Sequence, residues 1–137
     1  MTVRESLRTG VTATKKITVD RERTIGFMGD EGRVYSTPSM VRDIEYTCHE
    51  LLKEHVDDSE NSVGTHVSVD HIGATVEGDV VEVSVTITSV DGRSVSFEAI
   101  VKDSLEDVGR GIHNRFVVDV EKTYQRLTEK RKKVMGS

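Results

Sequence analysis

Hydrophobic and polar positions alternate so regularly in the second half of the chain that it predicts long strands. From Val80 to Val90, Val81, Val83, Val85 and Ile87 fall on one face, and from Ser94 to Lys102 so do Val95, Phe97, Ala99 and Val101. Asp91-Gly92 between them has the composition of a hairpin turn. Val63 to Ile72, rich in β-branched residues, predicts a strand before this pair. Asp103 to Asp107 predicts a turn after it, and Val108 to Val120 a last long strand. Thr12 to Val19 predicts a first strand, with Ile17 and Val19 on one face. The period changes between Pro38 and His55. There Met40, Val41, Ile44, Thr47, Cys48, Leu51 and Leu52 recur at helical spacing, a single buried stripe. Pro38 is the only proline in the chain, which suits the first helical position, with Thr37 as N-cap. Gly26 to Arg33 holds three glycines and reads as a loop, Asp57 to Ser62 as a polar connection, and Glu121 to Lys133 as a polar closing helix.

One amphipathic helix followed by four antiparallel strands predicts an α+β design of two layers, in which the helix covers one face of a curled sheet. The other face and the sheet edges then need cover, which predicts a homodimer. Composition narrows the picture. At 137 residues the whole chain, 1–137, is expected to form a single domain with its core between about residues 10 and 130. A net charge of −5 argues against a general nucleic-acid surface, and the basic run Lys130-Arg131-Lys132-Lys133 reads as a solvated helix end. The single cysteine, Cys48, allows no intrachain disulfide and falls in the middle of the apolar stripe, so an inert thiol is expected. No apolar run approaches the length of a membrane span, and the first residues lack the apolar core of a signal peptide, so a cytoplasmic protein with no membrane partner is expected.

Three polar residues stand where chemistry could occur. Glu45 lies at the edge of the helix's apolar arc, about 20° beyond Leu52 by helical geometry. There it is either an ordinary boundary glutamate or a carboxylate at the rim of a cleft. His71 points with Val67 and Val69 toward an apolar face, either as a satisfied core histidine or as a base, with Gly73 marking a bulge that re-aims it. Thr37, as N-cap, would bond the first turn, or place its hydroxyl beside the free N–H groups and positive end of the helix. Carboxylate, imidazole and hydroxyl are the groups an acyl-transfer site uses. His113 and Arg115 share one face of the last strand. No histidine has a partner at metal-ligand spacing, so no metal is expected.

Four segments occur in the order Val34-Tyr35-Ser36-Thr37-Pro38-Ser39-Met40-Val41 with Glu45 and Cys48, Gly64-Thr65 with Asp70-His71 and Ala74-Thr75, Ser89-Val90-Asp91-Gly92-Arg93, and Gly109-Arg110-Gly111-Ile112-His113-Asn114-Arg115. This succession resembles the hot-dog-fold thioesterases, and within them the fluoroacetyl-coenzyme A thioesterase branch, over roughly residues 10 to 130. The resemblance implies a sheet wrapped around one central helix and a homodimer with acyl sites at the subunit interface. It implies hydrolysis of a short or medium acyl-coenzyme A thioester with no cofactor beyond the coenzyme A of the substrate. It places the catalytic threonine, glutamate and histidine at Thr37, Glu45 and His71, and substrate contacts at Tyr35, Ser36, Gly64 and Arg115. One departure stands out: where the branch carries an aromatic, proline-interrupted lid, this chain has Gly26-Phe27-Met28-Gly29-Asp30-Glu31-Gly32-Arg33, so a fluoroacetyl preference is not expected to carry over. Two other readings share the fold. One is an acyl-coenzyme A-binding module without catalysis. The other is an enoyl-thioester hydratase, which needs an aspartate and a histidine paired on the helix; here only Asp43 and His49 approach that spacing, on the polar side of the helix.

Overall fold

A computed structural model describes residues 3–136 and shows why the apolar alternation matters. Five strands form one antiparallel sheet: β1 (Thr12–Thr18), β4 (Glu60–His71), β5 (Val80–Asp91), β6 (Ser94–Lys102) and β7 (Asp107–Asp119). Their spatial order is β1-β5-β6-β7-β4, so β1 and β4 are the edges. Two short strands, β2 (Thr24–Ile25) and β3 (Val34–Tyr35), form a separate ribbon before helix α1 (Thr37–Lys53). Helix α2 (Val120–Met135) closes the chain. The expected strands and helices are thus present within two or three residues at each end.

The core lies between α1 and one face of the sheet. Met40, Ile44, Cys48, Leu51 and Leu52 of the helix are buried against Val81, Val83, Val85 and Ile87 of β5 and Val95, Phe97, Ala99 and Val101 of β6. These are the residues whose alternation put them on common faces, and their removal from water is the main stabilising term. Val41, expected in the stripe, is only half-buried at its margin. The opposite face of the sheet leaves Ile100, Ile112 and Phe116 exposed.

Three local features differ from the sequence expectation. The first is the start of α1. Ser36, not Thr37, is the N-cap: its backbone is extended, its Oγ accepts from the Ser39 N–H at 3.2 Å and its hydroxyl donates to Ser39 Oγ at 2.8 Å. Thr37 is the first helical residue and Pro38 the second, where a missing N–H still costs no intrahelical bond. Second, Asp43 is fully enclosed rather than at a polar margin, because Tyr35 and Arg23 satisfy it. The Tyr35 hydroxyl donates to Asp43 Oδ2 at 2.6 Å, and the Arg23 guanidinium donates to both carboxylate oxygens, at 3.0 and 3.2 Å. The Arg23 pKa is correspondingly raised, first by this hydrogen bond and against the effect of burial.

The third is the bulge in β4, which lies at Thr65 rather than near Gly73. Gly64 pairs with Arg115 of β7, but the next pair is His66 with Asn114, so Thr65 is the extra residue. On a regular strand Gly64 and His71, seven residues apart, would face opposite ways. The inserted residue resets the alternation. His71 pairs with Gly109, and both Gly64 and His71 face α1.

Candidate active site

Two clusters of polar side chains occupy the α1 side of the sheet, one at each end of β4. The first is at the start of α1. Because Ser36 does the capping, the Thr37 hydroxyl is released from the helix and meets His71 Nδ1 at 2.8 Å. With Nδ1 unprotonated, Thr37 is the donor. Burial lowers the His71 pKa from its ordinary value, and a backbone hydrogen bond with Gly73 opposes this, so the ring is neutral at pH 7. Pro38 has no N–H and the Ser39 N–H is taken by the cap, so the N–H of Thr37 is the donor left at the mouth of the helix. Thr37 and Pro38 are exposed, and with His71 they line an open cleft of about 730 Å³ whose walls include Ile25, Phe27, Val34 and Ile72. Phe27 is 90% exposed at the rim and Met28 is 74% exposed, so nothing in the Gly26–Arg33 segment covers the cleft.

Tyr35 and Ser36 were expected to touch substrate, and their polar groups are engaged elsewhere. Tyr35 is 0% exposed. Burial and the hydrogen bond to Asp43 push its phenol pKa upward, and its ring, which with Ser36 forms part of the cleft wall, meets the His71 ring edge-on at 6.2 Å. Ser36 Oγ is held in the cap. These two residues position Thr37 and His71; their side chains have no free donor to offer a ligand.

The second cluster surrounds Gly64. A Cβ built on Gly64 would stand 3.2 Å from His113 Cε1, 3.4 Å from Arg115 Nη1 and 3.6 Å from Glu45 Oε2. Glycine is what allows these three groups to approach the strand. Glu45 is half-buried and, among the described residues, makes no hydrogen bond and no ion pair. Arg115 is buried inside the sheet–helix layer, not on the surface. Its Nε donates to Ser62 Oγ at 2.8 Å, its Nη2 to the Ser62 carbonyl at 2.9 Å and its Nη1 to His113 Nε2 at 3.1 Å. No carboxylate lies within ion-pair distance of it among the described residues, and desolvation lowers its pKa from the usual arginine value. A buried cation without a counter-ion favours negative charge nearby, whether on Glu45 or on a ligand.

Within one chain the two clusters stay apart. Eight helical residues separate Thr37 from Glu45, about 12 Å along the axis, and Gly64 to His71 spans about 20 Å of strand. The structure therefore joins Thr37 to His71, and Glu45 to Gly64 and Arg115. His113 was noted in the sequence only for sharing a face with Arg115; its burial beside Arg115 in the sheet–helix layer is what singles it out. The Asp43–Tyr35–Arg23 network gave no local pattern, because its members come from three separate elements.

Other candidates do not converge. His49 Nε2 bonds Asn61 Oδ1 at 2.7 Å while Asp43 is sealed beneath Tyr35, so the aspartate–histidine pair of a hydratase is not assembled. Cys48 is buried, and desolvation pushes its thiol up to about 12. Among the described residues no group of three or more His, Cys, Asp or Glu could hold a metal ion, and no helix is long and apolar enough to cross a membrane.

Comparison with known proteins agrees with this architecture. A family model described as fluoroacetyl-CoA-specific thioesterase matches residues 19–121. The fluoroacetyl-CoA thioesterase of Streptantibioticus cattleyicolor is 27% identical over 135 residues, covering 93% of this chain and 97% of that protein. A solved structure of a fluoroacetyl-CoA thioesterase superposes with a TM-score of 0.83 at 28% identity, covering 91% of this chain and 98% of the other. A hot-dog-like protein from Thermanaerovibrio acidaminovorans superposes with a TM-score of 0.86 at 23% identity, covering 95% and 97% of the two chains; at that identity it speaks for the fold alone. The architecture is the hot-dog fold.

Proposed function

The chain belongs to the fluoroacetyl-CoA-specific thioesterase family, and from that premise we propose that it hydrolyses acyl-CoA thioesters at sites built from Thr37, Glu45 and His71 across a two-fold dimer. The observation that carries the site is the Thr37–His71 hydrogen bond at the open mouth of α1, together with an unpartnered Glu45 on the same side of the sheet.

The exposed edge strand supports the dimer. Residues 63–68 of β4 are all exposed, a run of unpaired backbone polar groups that favours pairing with a second strand. If two copies of β4 pair antiparallel about a point between Val67 and Ser68, at the end of this run, His71 of one strand lies beside Gly64 of the other. The two-fold axis is then normal to the sheet, so both helices stay on one side. Thr37 and His71 of one protomer then face the Glu45, Gly64 and Arg115 cluster of the other. This arrangement unites the clusters that a single chain keeps apart.

In such a site the thioester carbonyl sits at the Thr37 N–H, and the hydroxyl of Thr37, oriented by neutral His71, fixes its direction. The helix N-terminus and the buried Arg115 favour the negative charge that develops on the carbonyl oxygen. Water adds to the carbonyl carbon and gives a proton to the Glu45 carboxylate. The C–S bond then breaks, and the departing thiolate takes that proton, leaving a free acid and coenzyme A thiol. No metal or organic cofactor enters these steps. The uncovered, apolar-walled cleft, with Phe27 at its rim, fits short to medium acyl chains rather than a tightly enclosed two-carbon group. Thiol release from the purified protein, measured against a panel of acyl-CoA thioesters, tests the reading. It predicts catalysed hydrolysis, with kcat/KM for four- to eight-carbon chains at or above that for acetyl-CoA. Acyl-CoA binding by calorimetry with hydrolysis no faster than the uncatalysed control would instead identify a binding module.

A further inference from the structure

We infer that His113 is a positioning residue for the reaction: as a neutral imidazole it holds the Arg115 guanidinium against Gly64 and Glu45. The inference rests on the placement of Glu45 in the reacting site given above. His113 is 1% exposed, yet both ring nitrogens are satisfied by partners of fixed polarity. Nδ1 lies 2.7 Å from the His66 carbonyl, which can only accept, so Nδ1 carries the proton. Nε2 lies 3.1 Å from Arg115 Nη1, which can only donate, so Nε2 is bare. The two bonds define one tautomer, and a second proton would set an N–H of a charged ring against a guanidinium.

The arrangement has a consequence for Arg115. Of its five N–H groups, one goes to His113 and two to Ser62, which locks the plane of the guanidinium. Nη1, which has a second N–H to offer, and Glu45 Oε2 both stand close to Gly64, 3.4 and 3.6 Å from where its Cβ would be. Without the His113 acceptor the guanidinium could turn about its Ser62 contacts and carry this N–H away from the carboxylate. The charged and titratable groups around the ring are Arg115 on its own strand, Glu45 on α1 and His66 on β4; β6 faces it with Phe97, whose ring stacks at 6.4 Å. Burial dominates and lowers the His113 pKa, Arg115 and His66 act in the same direction, and the His66 carbonyl and Glu45 oppose them. Because the folded pKa is below the unfolded one, the neutral ring is favoured at pH 7 and is lost only as pH falls through that lowered value.

The test uses His113→Phe, which keeps a ring beside Phe97 without nitrogens, and His113→Gln, which keeps an acceptor. We expect His113→Phe to lower kcat by about tenfold or more with a smaller change in KM, as loss of a fixed geometry does. His113→Gln should recover part of the loss. In both variants the acid limb of log kcat/KM against pH should be one unit shallower than in wild type. Nitrogen-15 spectra of the wild-type imidazoles should show one ring as the Nδ1–H tautomer at pH 7, a readout that does not depend on either variant folding. The inference is overturned if that tautomer is absent, or if a folded variant keeps wild-type kcat and an unchanged acid limb. Glu45→Gln measured alongside separates the two levels. Full activity in Glu45→Gln contradicts the site itself, whereas loss there with none in the His113 variants contradicts only the role of His113.

Discussion

Replacing Glu45 with glutamine should lower the turnover of acyl-CoA hydrolysis by about 100-fold or more, the lower end of what general-base catalysis contributes. The substitution keeps the shape of the side chain and removes its charge. Glu45 makes no hydrogen bond or ion pair among the described residues, so only its longer-range attraction to Arg115 is lost, and the folding stability should change far less than the turnover, by about 1 kcal/mol or less. A large kinetic effect with a small stability effect is the signature of a group kept for chemistry. Wild-type turnover in Glu45→Gln would return the residue to the margin of a hydrophobic stripe. The comparison is informative because the alternative neighbour, Asp43, differs in kind: it is buried under Tyr35 and Arg23, and replacing it would unfold the region before it altered the chemistry.

His71→Ala should remove most of the turnover while leaving acyl-CoA affinity within about tenfold, since the lost imidazole acts through Thr37 in the transition state rather than in binding. Its pH dependence follows from the direction of its pKa. Burial lowers it below the ordinary histidine value, so the neutral, accepting ring is present at pH 7 and above. The rate should rise with pH through an ionisation below about 6.5 and then level off. The stability contribution has the same sign: a folded pKa below the unfolded one favours the native state above about pH 6.5 and loses that advantage as pH falls. In His71→Ala the acid limb should become shallower by the part that His71 supplies. A rate profile and an affinity profile over pH 5 to 9 read both effects. Equal losses in affinity and turnover would assign His71 to binding alone.

The strands of this chain were readable because period-two alternation survives wherever one face of a sheet is buried, as in Val81 to Ile87 and Val95 to Val101. The candidate residues were readable for a related reason: a carboxylate or imidazole beside an apolar stripe breaks a pattern. What was not readable depended on single extra residues or on distant partners. The bulge at Thr65 leaves no mark in the alternation, because Val63 and Val67 are two odd-numbered valines that end on opposite faces of the sheet. Yet it is this bulge that turns Gly64 and His71 to the same side. The cap moved by one residue because Ser36 and Thr37 can both cap, and only the reach of Ser36 Oγ to the Ser39 N–H decides between them. Asp43 lay at the margin of the helical stripe, and its burial depends on an arginine twenty residues earlier that no helical projection includes. Tyr35 and Ser36 line the cleft beside Thr37, but the engagement of their hydroxyls with Asp43 and Ser39 depends on partners that their own positions in the sequence do not reveal.

The division of the site between two protomers is the central claim, and subunit complementation tests it most directly. Chains carrying Glu45→Gln and His71→Ala, distinguished by different affinity tags, would be co-expressed and the heterodimer purified through both tags. If each site takes Thr37 and His71 from one protomer and Glu45 from the other, one site of the heterodimer carries both substitutions and the other carries neither. The heterodimer should then hydrolyse acyl-CoA at about half the wild-type rate, although both homodimeric variants are nearly inactive. A heterodimer no more active than its parents would mean that Glu45 and His71 act within one chain, and would contradict the composite site.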